Sequence, residues 1–177
     1  MLTSKASSKI KVYYEVTKPK IWYLLVFTAF AAAFTAQNLY DVEVSPLTWI
    51  LLIGSVTAGS AAANTLTNYN DRDIDAMMDR TRDRPIPSKR IYPAEKALYF
   101  GLILAAISLV TSFAINIWAG FFMAFGLADN ILVYSKLLKR RSQSNIVLGG
   151  FSGGAPALIG YVAVTLTNWE LGLVMAG

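Results

Sequence analysis

The chain has 177 residues, of which 55% are hydrophobic and 15% charged, with a net charge of +5, no Cys and no His. Soluble domains carry about 25% charged residues, and the mean hydropathy of +0.46 comes from apolar blocks long enough to cross a bilayer. This excludes a soluble globular domain, a disordered chain and a disulfide scaffold. It also leaves no thiolate or imidazole for a metal site, a Ser-His triad or a His base.

Residues 1–20 read as a basic amphipathic segment on the cytoplasmic side, and 21–177 as one transmembrane domain. A helix needs about 20 mostly apolar residues to cross the hydrocarbon core. Five segments qualify: Ile21 to Asn38, Leu47 to Thr67, Ala94 to Ala114, Ile117 to Tyr134 and Asn145 to Leu166. Helices are expected because an open strand leaves its backbone unsatisfied in lipid. Trp169 and Leu171 to Val174 resemble the start of a sixth run, so the chain is expected to be part of a longer polypeptide.

Charge sets the expected orientation. The 16 Lys and Arg fall before the first span (Lys5, Lys9, Lys11, Lys18, Lys20), between Arg72 and Lys96, and between Lys136 and Arg141. The intervening loops hold only acids, Asp41, Glu43 and Glu170 among them. Basic loops stay cytoplasmic, which puts the N-terminus inside a multi-pass protein of the cell membrane. The positive charge is then topogenic and drawn to membrane lipids, and no nucleic acid partner is implied.

The chemistry lies in the stretch from Asn64 to Pro85, which continues the second span into the interface. On a helix at about 100° per residue, with Asn64 at zero, Asn68 falls at about 40°, Asp71 at about −20° and Asp75 at about 20°. Asp79, at about 60°, would sit on the edge of that stripe, and Asp73, at about 180°, would face away. Two carboxylates one turn apart repel unless a cation lies between them. Their hard oxygens suit Mg²⁺, which takes one or two carboxylates and leaves its other positions to water and phosphate. Asp71 and Asp75 are therefore the expected catalytic pair and metal ligands, helped by Asn68 or Asn64, with the active face cytoplasmic. Arg80, Arg82 and Arg84 are candidates for phosphate oxygens. The bland alternative is a solvated helix end whose acids pair with the interleaved Arg residues.

Asn68-Tyr-Asn-Asp71-x-x-x-Asp75 followed by Met78-Asp-Arg-Thr81-x-x-Arg84-Pro85-x-Pro87 resembles the first Asp-rich motif of the UbiA-type intramembrane prenyltransferases. Tyr134 to Arg141, then Asn145-Ile-Val-x-Gly149-Gly150 and Gly154-Ala-Pro156 to Tyr161, resembles the protoheme IX farnesyltransferase (haem O synthase) branch, as does Thr17-Lys18-Pro19-Lys20. The resemblance implies an all-α bundle of nine membrane helices, of which this chain would supply about five. It also implies Mg²⁺-dependent transfer of a farnesyl group from farnesyl diphosphate to a vinyl group of haem B, with Lys18, Tyr134 and Lys139 helping to bind the diphosphate.

Thr67 stands where that family usually has its motif Asn, so the amide ligand stays open between Asn64 and Asn68. The family's second Asp-rich motif would lie after residue 177. A C-terminal half or a partner subunit is thus expected to complete the cavity, and the chain alone is expected to be inactive. Two other readings are a related prenyltransferase with a quinone-precursor or lipid acceptor, and a non-catalytic membrane fragment whose acids carry a cation. Asp129 and Asn130, inside the fourth span, are polar at membrane depth and so are site candidates. The glycines and Pro156 of the fifth span are expected to serve close packing, or else to make room for a flat macrocycle.

Overall fold

The computed structural model describes residues 2–131 and 145–165, with side-chain surroundings for 9–131 and 153–165. The described residues form six helices and no strand: α1 (Leu2–Val16), α2 (Pro19–Tyr40), α3 (Pro46–Asp75), α4 (Glu95–Ile115), α5 (Ile117–Ala128) and α6 (Asn145–Thr165). Three of them, α2, α3 and α4, are long and apolar enough to cross a membrane, while α5 and the described end of α6 are shorter apolar helices.

Local chemistry sets the helix ends. Pro19 and Pro46 stand in the first turns of α2 and α3, where a missing N–H costs nothing. Ser45 caps α3 by accepting from the Thr48 amide at 3.2 Å. Between α4 and α5 the chain reverses through Asn116 alone. Its side chain accepts from Ala119 N and donates to the Val162 carbonyl of α6, at 2.8 and 2.9 Å.

The core of the bundle is built from small residues. Ala29, Ala33 and Ala36 of α2 pack with Leu52 and Val56 of α3, Met123 of α5, and Ile159 and Ala163 of α6. α2 and α6 touch backbone to backbone: a Cβ added at Gly160 would collide with the Ala29 carbonyl oxygen. Lipid offers no hydrophobic drive between helices, so close approach at small residues is what holds spans together. Tyr40 and Tyr161 join the same two helices through their hydroxyls at 2.7 Å. Gly153 and Gly154 differ, since a Cβ at either meets nothing within 4 Å.

A second, smaller core lies at the basic end of the bundle. Val16, Ile86, Ile91 and Ala97 are buried there, with Tyr13, Tyr69 and Phe100 against them. It seats the loop 76–94 and the C-terminal end of α1 over the end of α3. Arg90 clamps α1 from this loop by donating to both carboxylate oxygens of Glu15, at 2.6 and 2.7 Å. These bonds hold the Glu15 carboxyl below its ordinary value. A depressed pKa stabilises the docked state above the free carboxyl's value, and that contribution is lost as pH falls through the folded value. Acidification through the carboxylate range should therefore loosen α1. Trp22 donates to Thr17 Oγ1 and meets Tyr14 edge-on, so its fluorescence reports the seating of α1. An acid transition is expected in the native chain and not in Glu15→Gln; the same transition in both would refute the clamp.

Candidate functional site

α3 runs straight from the bundle through the acidic segment and stops at Asp75. One face of its last three turns is buried: Asn68 is 3% exposed, and Asp71 and Asp75 are each 5% exposed. Asp73, on the opposite face, has a side chain 78% exposed, beside Arg72 at 3.7 Å. Helical periodicity thus sorts these acids into a sheltered pair and an outsider.

Asp79 departs from the expected stripe. The helix has ended four residues earlier, and the Asp79 side chain is 96% exposed, paired with Arg82 at 3.1 Å. The cause lies in the end of α3, whose last carbonyls need donors. The buried Thr81 hydroxyl donates to the Asp75 carbonyl at 3.0 Å, and the chain folds back instead of adding another turn. The fold-back also brings Arg84 home: its Nη1 donates to Asp75 Oδ2 at 2.7 Å. Arg84 therefore joins the acidic pair, whereas Arg80 is exposed and Arg82 is spent on Asp79.

The two candidate amides differ in their partners. Asn64 donates to Ser60 O of its own helix at 2.9 Å. Asn68 instead donates to the Val16 carbonyl at the end of α1, at 2.8 Å, and its Oδ1 is buried with no hydrogen-bond partner among the described residues. A buried carbonyl oxygen left unpaired costs about 1–3 kcal/mol. Most other hydroxyls of the spans, such as Ser55, Thr57 and Thr65, close onto their own helix. Asn68 thus presents an unsatisfied hard oxygen on the face that carries Asp71 and Asp75. Two carboxylates and an amide oxygen match the donor set of a Mg²⁺ that keeps positions for phosphate. Among the described residues no three acidic side chains converge, so the match is to that open type of site and not to an all-protein cage.

Lys18 stands two residues beyond the carbonyl that Asn68 holds, in a left-handed backbone conformation (φ 52°) at the corner between α1 and α2. The corner delivers a cation to the same end of the bundle as the acidic pair. Tyr134 and Lys139 lie outside the described residues.

Toward the membrane, a cavity of about 100 Å³ opens among α2, α3, α5 and α6, with Ser60, Asn64 and Asn130 as its polar lining and Met123, Pro156 and Ile159 among its apolar walls. Asn64 is one turn before Asn68, and Asn130 accepts from Thr67 at 3.1 Å. The cavity therefore adjoins the sheltered face of α3. Its volume takes a few carbon atoms and is far below the 300 Å³ or more usual for cofactor pockets. The Thr67–Asn130 link was not legible in the sequence, because it joins residues 63 apart. Span four, expected to run to Tyr134, is helical as far as Ile131, the last residue described there, and its final residues 129–131 form a π turn. Such turns often mark functional positions. Asp129 lies in this one, 7% exposed, its Oδ2 without a partner among the described residues.

The model of the UbiA prenyltransferase family matches residues 23–177. The chain is 57% identical to protoheme IX farnesyltransferase 2 of Cenarchaeum symbiosum, covering 100% of this chain and 60% of that protein. It is 49% identical to protoheme IX farnesyltransferase of Thermoplasma volcanium, over 89% of this chain and 54% of that one. The chain thus spans little more than half the length of these relatives. Among solved structures, one described for digeranylgeranylglyceryl phosphate synthase superposes with a TM-score of 0.79 at 26% identity, covering 88% of this chain and 53% of that one. A UbiA homologue from Archaeoglobus fulgidus bound to DMAPP and Mg²⁺ shares the fold, with a TM-score of 0.68 at 20% identity over 84% and 53% of the two chains.

Proposed function

Because the chain is a multi-pass membrane protein belonging to the UbiA prenyltransferase family, we propose that it carries a diphosphate-binding part of a haem-farnesylating enzyme. The reaction is transfer of the farnesyl group of farnesyl diphosphate to a vinyl group of haem B, giving haem O. The observation that carries this reading is the sheltered face of Asn68, Asp71 and Asp75, three hard-oxygen side chains in the turns of α3 that follow Asn64, itself part of the lining of an intramembrane cavity.

In this reading Asp71, Asp75 and Asn68 hold Mg²⁺, which would neutralise the diphosphate and stabilise it as it leaves. Arg84 keeps the Asp75 carboxylate turned inward through its 2.7 Å bond. Lys18 supplies a cation from the corner between α1 and α2. The apolar walls below keep water away from the allylic carbon as its bond to oxygen breaks, which strengthens every charge interaction at this face. The vinyl carbon attacks there, the new bond leaves a cation beside the porphyrin, and water adds to it with loss of a proton. The basic residues of the loop 76–94 support a cytoplasmic position for this face, since basic loops stay inside. The cavity lined by Ser60, Asn64 and Asn130 is too small for a haem, so an acceptor pocket on this side needs further walls.

The relatives above support haem as the acceptor, whereas one solved neighbour is described for digeranylgeranylglyceryl phosphate synthase. Haem B titrated into the purified protein and followed by absorbance separates the two. A saturable shift of the haem band, with farnesylated haem formed once Mg²⁺ and farnesyl diphosphate are added, is expected. Diphosphate release with no haem binding would keep the prenyltransferase and discard this acceptor.

A further inference from the structure

On the side of α3 away from α5, α1 overhangs a groove of about 750 Å³ that no step above uses. Its walls are apolar: Tyr13, Trp22, Ala61, Phe100 and Leu104 come from four helices. Its outer lip is open, with Ile10, Tyr99 and Ile103 exposed by 71%, 64% and 58%. Along α4 it descends from Lys96 to Leu104, about 12 Å at 1.5 Å per residue, against roughly 15 Å for one leaflet of hydrocarbon.

The polar groups gather at the top. The Thr17 hydroxyl donates to Tyr14 O and accepts from Trp22, and the Tyr14 hydroxyl is bonded to that of Tyr23. Lys9 has no ion-pair partner among the described residues, and Lys96 donates one bond, to Tyr92 O at 3.0 Å, with two N–H groups to spare. Among the described residues no acidic side chain lines the groove. An uncompensated pair of ammonium groups thus stands over an apolar slot that opens sideways, ringed by the Tyr and Trp side chains typical of a bilayer interface.

From this charge complementarity we propose that the groove binds an anionic phospholipid of the surrounding leaflet, its phosphate at Lys9 and Lys96 and one chain along α4. The occupant is a bilayer lipid and not the prenyl diphosphate, because no carboxylate or free amide oxygen accompanies these cations. Bound there, the lipid fastens α1, and with it the Val16 carbonyl that positions Asn68.

The full chain is reconstituted in phosphatidylcholine vesicles doped with bromine-chained phosphatidylglycerol or bromine-chained phosphatidylcholine. Quenching of Trp22 is isolated by difference from Trp22→Phe. The anionic lipid should quench at about fivefold lower mole fraction, the preference vanishing in Lys9→Gln/Lys96→Gln and surviving in Lys89→Gln, which lies outside the groove. Equal quenching by the two lipids, or a preference that outlasts the double substitution, overturns the site. Absence of quenching by either lipid would mean that protein fills the groove. Displacement by farnesyl diphosphate would make it a substrate site; both outcomes also overturn the proposal.

Discussion

Asp71→Ala and Asp75→Ala should each lower farnesyl transfer by about a thousandfold or more, while Asp73→Ala should lower it by less than about threefold. The large figure follows from losing several kcal/mol of charge stabilisation on the departing diphosphate, at about 1.4 kcal/mol per tenfold. The small one follows from position: Asp73 is on the solvent face of α3, and its 3.7 Å pair with Arg72 is of the exposed kind that contributes little. All three substitutions remove one carboxylate within a single helical turn, so they change net charge and local field alike. Only the face differs. Product assays on the three variants, in the complete enzyme, measure it directly. Equal losses would mean that net charge and not the sheltered pair drives the reaction.

The second large effect concerns stability. Gly160→Val should lower the thermal stability of the detergent-solubilised protein by at least about 3 kcal/mol, more than the 1–3 kcal/mol usual for overpacking. Its added Cβ meets the Ala29 backbone carbonyl, which cannot rotate away as a side chain would. α2 must then part from α6, opening the core of Ala33, Ala36 and Ile159. Gly154→Ala is the control. Its Cβ enters open space, and Ala is the better helix former by about 1 kcal/mol, so no loss of stability is expected. A thermal melt that ranks Gly154→Ala below Gly160→Val would contradict the close α2–α6 contact. The glycines of the fifth span are thus not one population: Gly160 serves packing, whereas Gly153 and Gly154 leave space beside α6.

Periodicity and hydropathy reach far in a chain of this kind because lipid enforces both. The five expected spans lie on α2 to α6, and the apolar run of the second one does not hide that its helix continues into polar sequence as far as Asp75. The opposition of Asp71 and Asp75 to Asp73 needs nothing beyond 3.6 residues per turn. The same rule failed at Asp79, because periodicity does not say where a helix stops. The stop depends on Thr81 and Arg84 returning to Asp75, a contact made by a fold-back of the chain.

Links across long sequence gaps were equally hidden. The proposal of Asn68 over Asn64 rests on the Val16 carbonyl, 52 residues away, and Asn130 meets Thr67 from another span. α1 was legible as basic and amphipathic, but its seat depends on the Glu15–Arg90 clamp, between residues 75 apart. Arg80, Arg82 and Arg84 are indistinguishable as letters, and only the return of the loop separates the one that reaches the carboxylates.

Manganese provides the most direct measurement. Titrated into the protein with inorganic diphosphate present, Mn²⁺ should lose its free-ion paramagnetic resonance signal as it is captured. That capture should be abolished in Asp71→Asn and Asp75→Asn, weakened in Asn68→Leu, and unchanged in Asp73→Asn. Capture that persists in both Asp71→Asn and Asp75→Asn, or that falls equally in Asp73→Asn, would contradict a divalent ion held on the sheltered face of α3.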